Sequence, residues 1–77
     1  MKYDVEYTDT FGGEANYCWV RRGTIEVPDG ASDAAIMKAA KKVVGLSGVR
    51  GVKREYGEMI DFRPHRTATV MFVTARY

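Results

Sequence analysis

The stretch that decides the fold is DTFGGEANYCWVRR, residues 9–22. Its glycine pair supplies the positive-φ freedom that a hairpin loop requires. Before the loop, residues 2–8 alternate polar and apolar side chains with the period of a half-buried strand. After the loop, residues 16–27 are rich in aromatic and β-branched side chains and predict the second strand of the hairpin. Gly23 interrupts this second strand, and a bulge there would reassign its two faces.

One helix follows the hairpin. Residues 28–30, Pro-Asp-Gly, end the second strand, and Ser32 or Asp33 can cap a helix over residues 33–45. Gly45, followed by a leucine, suits a left-handed C-terminal cap with its hydrophobic contact. The apolar residues at helical spacing form one stripe: Ile36, Ala39, Ala40, Val43 and Val44.

The last third of the chain predicts further strands. Residues 52–62 have strand character but are broken at Tyr56-Gly57, which is either a tight turn between two short strands or a bulge within one. Residues 63–66 contain proline and predict a turn. Residues 67–77 predict the strongest strand. Apolar side chains lie on both of its faces, so we expect this strand to be central.

These elements predict a single α+β domain over residues 1–77: a four- or five-stranded antiparallel sheet with one α-helix on one face, in the order β-β-α-β-β. One helix covers only one face. Because its stripe is alanine-rich, small residues such as Cys18 and Val20 would fit against it, which leaves Tyr17 and Trp19 for the opposite face. The reverse assignment, with Trp19 in the core, is favoured by the usual burial of tryptophan. In the first case the open face carries an apolar patch of a few hundred Å², a size typical of a binding or dimer surface.

Composition limits the class of protein. The nine aromatic residues and the hydrophobic fraction of 45% favour a folded globule over a disordered chain. The formal net charge is only +2, so nucleic acid is permitted as a partner but not required. The single cysteine excludes an internal disulfide and favours a reduced compartment. With no apolar leader or membrane-length segment in the sequence, we expect a cytoplasmic protein that does not engage a membrane.

The sequence predicts no enzyme and no cofactor. His65 is the only histidine, and one histidine with one cysteine cannot build a zinc site, so no metal is expected. Cys18 lies in a strand beside aromatic residues, a pattern typical of a small buried hydrophobe. The carboxylate pairs show no pocket that would raise a pKa for acid catalysis. The glycine clusters at 12–13 and 48–51 lack the spacing of a phosphate-binding loop. We assign no catalytic residue.

The basic residues are the strongest functional signal, because they would converge at one end of the sheet beside exposed aromatic rings. Arginine and aromatic side chains dominate the energetics of protein interfaces, and they also combine phosphate contacts with base stacking. The candidate partner-binding residues are Tyr17, Trp19, Arg21, Arg22, Lys41, Lys42, Arg50, Lys53 and Arg54.

The segments 8–22 and 63–77 resemble small single-domain proteins of bacteriophages and other mobile elements. In size, in its lone sheet with one helix and in its lack of catalytic residues, the chain also resembles phage anti-CRISPR proteins. The resemblance implies an inhibitor in the host cytoplasm that occludes a CRISPR effector, a ribonucleoprotein complex. The alternatives are a small nucleic-acid-binding protein and a symmetric homodimer that pairs its open sheet faces.

Overall fold

The computed structural model describes residues 1–11 and 14–76, with the backbone alone for residues 11 and 14–19. Five strands and one helix follow one another in the order β-β-α-β-β-β, so the sheet has the larger of the two predicted strand numbers. The elements are β1 (Lys2–Phe11), β2 (Glu14–Glu26), α1 (Asp33–Val44), β3 (Gly51–Tyr56), β4 (Met59–Pro64) and β5 (Thr69–Arg76).

The strands form one antiparallel sheet in the order β2-β1-β5-β4-β3. The last strand, β5, is central, as its two apolar faces predict. The break at Tyr56-Gly57 is a tight turn between two strands, and Gly57 there has a φ of 60°. Of the two alternatives for residues 52–62, the pair of short strands is therefore confirmed, and β3 becomes an edge strand.

The helix begins and ends within one residue of the predicted bounds. The Ser32 hydroxyl accepts a hydrogen bond from the Ala35 amide at 3.2 Å, which satisfies one of the free donors of the first turn. Gly45 takes a left-handed conformation with a φ of 79°, and the Leu46 amide donates to the Lys41 carbonyl at 2.7 Å. These two caps limit α1 to 12 residues, or about 18 Å of helix.

The core lies between α1 and the three central strands. In register across β1, β5 and β4, Val5, Val73 and Ile60 form one row. The next row toward the β1–β2 hairpin holds Tyr7, Met71 and Phe62. All six side chains are buried. The helix packs on these rows with Ile36, Met37, Ala40 and Val44. Met37 thus joins the predicted stripe, whereas Val43 stays 45% exposed.

The irregularity of the hairpin lies elsewhere than predicted. The β1–β2 register shifts between Thr8 and Thr10, opposite residues 16–19, and it is regular through Gly23. Val20 pairs with Thr8 and lies on the face away from the helix. The alternative that placed Val20 against α1 is therefore wrong, and this residue agrees with the reverse assignment. The small residue that lets the helix approach β2 is Gly23, where an added Cβ would clash with Val43 Cγ1.

Gly23→Ala is expected to lower the free energy of unfolding by about 1–3 kcal/mol, because the new methyl group overpacks against a β-branched side chain with a stiff χ1. Val43→Ala removes that obstacle. In the Val43→Ala background, Gly23→Ala should cost nothing or stabilise the protein, since alanine restricts the unfolded chain more than glycine does. Urea unfolding of the original protein, the two single variants and the double variant measures the coupling energy between the two positions. Equal effects of Gly23→Ala in both backgrounds would contradict this packing.

Candidate partner-binding surface

The sheet face opposite α1, here called the open face, is organised around one row of side chains. From edge to edge, the register places Arg22, Glu6, Phe72, Asp61 and Arg54 side by side on β2, β1, β5, β4 and β3. A half-buried ring thus lies between two carboxylates, and each carboxylate is followed by an arginine on an edge strand. At strand spacing the row is about 19 Å wide.

On the β1–β2 half of the open face, the end that holds Asp4, Glu6 and Arg22 is polar, whereas Thr8 and Val70 farther along the strands are fully buried. Arg22 Nε lies 3.7 Å from Glu6 Oε1, and Arg76 Nη1 lies 3.6 Å from Asp4 Oδ1. These side chains are largely exposed, so each ion pair contributes little to stability. A shallow depression of about 430 Å³ lies between the two strands. Its lining of charged side chains and Thr24 is that of a solvated surface.

The β3–β4 half of the open face carries a group of apolar side chains, here called the open-face patch: Val52, Tyr56, Met59 and Phe72. Val52 is 46% and Tyr56 is 49% exposed, while Met59 and Phe72 are half-buried. Arg54 lies between Val52 and Tyr56 on the same strand face. Together with Arg54, the patch therefore presents aromatic, thioether and guanidinium groups on one face of the sheet.

Asp61 lies beside the open-face patch and is buried, which is unusual for a carboxylate. The residue is only 4% exposed, and among the described residues no group donates a hydrogen bond to its Oδ1. Its cross-strand neighbours are Phe72 on β5 and Arg54 on β3. Arg54 has a raised pKa, first through its closeness to the Tyr56 side chain and then through the charge of Asp61. A buried carboxylate beside a solvated guanidinium is stabilised only in part.

Asp61→Asn is expected to raise the free energy of unfolding by about 1 kcal/mol, because it removes an incompletely paired buried charge at nearly constant volume. Urea unfolding at neutral pH measures the change. Asp4→Asn, at an exposed position on the same face, is the control and should change stability by less than about 0.5 kcal/mol. A clear loss of stability in Asp61→Asn would mean that the attraction between Asp61 and Arg54 outweighs the cost of burial.

The predicted cationic residues do not share one surface. Arg22 and Arg54 lie on the open face, at its two edges. Arg21 and Lys41 lie on the helix side, where each binds a backbone carbonyl. Arg21 Nη1 donates to the Val44 carbonyl at 3.2 Å, and Lys41 Nζ donates to the Val49 carbonyl at 2.9 Å. Lys41 Nζ also lies 4.1 Å from the centre of the Phe62 ring. The side chains of Tyr17 and Trp19 lie outside the described residues.

Lys53 lies on the helix side of β3, between two carboxylates. Its Nζ is 3.9 Å from Asp33 Oδ2 and 3.7 Å from Glu55 Oε1. The Asp33 carboxylate raises the pKa of Glu55, an effect that Lys53 opposes. Negative charge is thus in excess at this edge. A depression of about 250 Å³ lies beside it, lined by Asp33, Glu55 and Glu58 among other residues.

A second basic region lies at the end of the sheet where α1 ends, here called the basic end: Arg21, Lys41, Lys42, Arg50, Arg63, His65 and Arg66. The two loops at this end are joined, because the His65 amide donates to the Arg50 carbonyl at 3.0 Å. Arg66 has a φ of 63°, which is unusual for a residue with a side chain. The predicted convergence of basic residues therefore includes Arg21, Lys41, Lys42 and Arg50, but not Arg22, Lys53 or Arg54.

Sequence reasoning missed two parts of these surfaces. The apolar residues of the open-face patch would follow from simple alternation along β3 and β4, once the turn at Gly57 is known. Residues 63–66 were interpreted only as a turn. Their place in the basic end depends on the pairing of Pro64 with Gly51 in the β3–β4 hairpin, which follows only when the turn at Gly57 is known.

Comparison with known proteins identifies no relative: no family model, no curated protein and no solved structure matches this chain. Among the side chains that the structure describes, no three metal-binding groups come together as a metal site. In the described part of the chain, no helix has the length and hydrophobicity to cross a membrane.

Proposed function

We propose that this chain is a non-enzymatic protein that binds a macromolecular partner through the open-face patch. The observation that carries the proposal is the exposure of Val52 and Tyr56, together with half-buried Met59 and Phe72, on a sheet face that α1 does not cover. Exposed apolar groups that lie together mark interaction surfaces on small proteins. The other half of the same face carries ion pairs and needs no partner.

The composition of the patch suits a protein partner. Tyrosine, phenylalanine, methionine and arginine are enriched in the cores of protein interfaces, where a few such side chains supply most of the binding energy. Arg54 stands between apolar neighbours, so a partner that covers the patch would also desolvate its charge. An acidic group on the partner would offset that cost.

Within this class, we propose that the chain acts as a phage-encoded inhibitor of the anti-CRISPR kind, with a CRISPR effector complex in the host cytoplasm as its partner. The support is the resemblance of type given above. An inhibitor with a net charge of +2 would not work by general mimicry of nucleic acid. Direct occlusion of a protein surface through the patch is the mechanism consistent with that charge.

Tyr56→Ala and Val52→Ser are expected to weaken inhibition of a purified CRISPR effector by tenfold or more, because each removes apolar area from the patch. Target-DNA binding by the effector, titrated with the protein, is the measurement. Val43→Ser is a matched control, since Val43 is 45% exposed against 46% for Val52 but lies on the helix side. Equal loss in both valine variants would contradict binding through the patch. If every CRISPR effector tested still binds its target DNA in the presence of excess protein, the anti-CRISPR proposal is wrong.

The basic end supports a second candidate function, direct nucleic-acid binding. Its cationic groups come from four separate segments, and Arg66 holds a strained backbone conformation at a loop tip. Strained backbone conformations of this kind cluster at functional sites such as ligand-binding loops. Lys42 and Arg50 are exposed beside it and can reach phosphate groups.

Under this second function, Arg50→Gln combined with Arg66→Gln is expected to weaken binding to single-stranded and duplex DNA. It should also reduce the slope of log K against log salt by about 1.5, since each lost phosphate contact removes about 0.7–0.9. Arg76→Gln, at the opposite end of the sheet, is the control and should leave the slope unchanged. Fluorescence anisotropy over a salt series gives these values. The absence of binding to naked nucleic acid at low salt would exclude this function and leave the first.

A further inference from the structure

The outer edge of β3 is free to pair with another strand, whatever the function of the protein. The strand pairs only with β4 among the described residues, and all of residues 52–56 are exposed. Every second residue of an edge strand directs its backbone N–H and C=O groups away from the sheet, where another strand can pair with them. Natural edges are usually protected by charges, proline or bulges.

The charges of β3 do not protect it against a second copy of itself. In a two-fold antiparallel pairing centred on Arg54, Lys53 faces the partner's Glu55, and Glu55 faces the partner's Lys53. On the other face, Val52 of each copy lies opposite Tyr56 of the other copy, which gives two equivalent pairs. Opposite charges and an aromatic ring against a β-branched side chain are the favourable cross-strand pairs.

The neighbouring registers are disfavoured by the charges on the helix side of β3. A shift to a centre on Lys53 sets lysine against lysine, and a shift to a centre on Glu55 sets glutamate against glutamate. Like charges directly opposite each other are destabilising. Only the register centred on Arg54 pairs every charge on the helix side of β3 with its opposite.

The surroundings of β3 favour the same register. Glu55 lies close to Asp33, whose carboxylate raises the pKa of Glu55, and a partner's Lys53 would neutralise this excess of negative charge. The two Arg54 side chains meet at the axis, but each lies directly opposite its own Asp61 on β4. The repulsion at the axis is thereby reduced.

We propose that two copies of this chain associate through antiparallel pairing of β3 with β3, in register about Arg54, to form a continuous ten-stranded sheet with both helices on one face. Six-residue edges bury less surface than a standard interface. We therefore expect a weak, concentration-dependent dimer with a dissociation constant in the micromolar range or above.

Disulfide trapping tests the register directly. In a Cys18→Ser background, Arg54→Cys places two cysteines opposite each other across the axis, with Cα atoms about 4.5–5.5 Å apart, within disulfide range. Lys53→Cys and Glu55→Cys are matched controls on the same exposed strand. Their own copies would be about 8 Å apart, too far to bridge. Under mild oxidation we expect a covalent dimer from Arg54→Cys at a rate at least tenfold above either control.

Charge reversal provides the second measurement, by sedimentation velocity over a concentration series. Lys53→Glu should weaken the dimer at least tenfold, and the double variant Lys53→Glu with Glu55→Lys should restore it to within about threefold. Lys42→Glu, with the same change of charge on the helix, should leave it unchanged. Circular dichroism checks that each variant is folded. A monomer at millimolar concentration, or equal cross-linking of all three cysteine variants, would overturn the proposal.

Discussion

The packing of α1 on the side chains of β1, β5 and β4 is the contact on which the rest of the structure depends. Val5, Val73 and Ile60 lie in one row across these strands and are buried by a helix of only 12 residues. Gly23 allows the helix to approach β2. A single helix of 12 residues covers only one face of the sheet, so the other face is left without a covering helix.

The uncovered side is divided in its chemistry. On β1 and β2, charged side chains form ion pairs with one another, and water can solvate them. On β3, β4 and β5, the apolar side chains lie beside a buried carboxylate, and one oxygen of that carboxylate accepts no hydrogen bond from the described residues. Covering this apolar half with a partner lowers the free energy more than leaving it exposed to water does. The two proposals for protein partners use this half of the sheet, one through its face and one through its edge.

Much of the site could not be predicted from the chain because strand pairing decided it. Arg21 and Arg22 are neighbours, yet one binds a carbonyl at the end of α1 and the other lies on the open face. Alternation predicts that such neighbours separate, but it does not say which of them turns toward the helix. That choice depends on the β1–β2 register, which shifts by several residues opposite 16–19. Residues beyond the shift cannot be assigned to a face by counting from those before it.

The sequence by itself determined the β1–β2 hairpin, the helix, its C-terminal cap and the central place of β5, because these follow from local periodicity, the glycine after the helix and a strand apolar on both faces. It left open whether residues 52–62 form one strand or two and whether Ser32 or Asp33 caps the helix. Only the tertiary structure decided that Val20 lies away from the helix, that Arg50 and residues 63–66 share one end and that Asp61 is buried beside Phe72. Each of these depends on which strands lie next to each other. The register of these pairings is set by the lengths of the turns and by the packing of the whole sheet beneath one helix, so local periodicity alone does not give it.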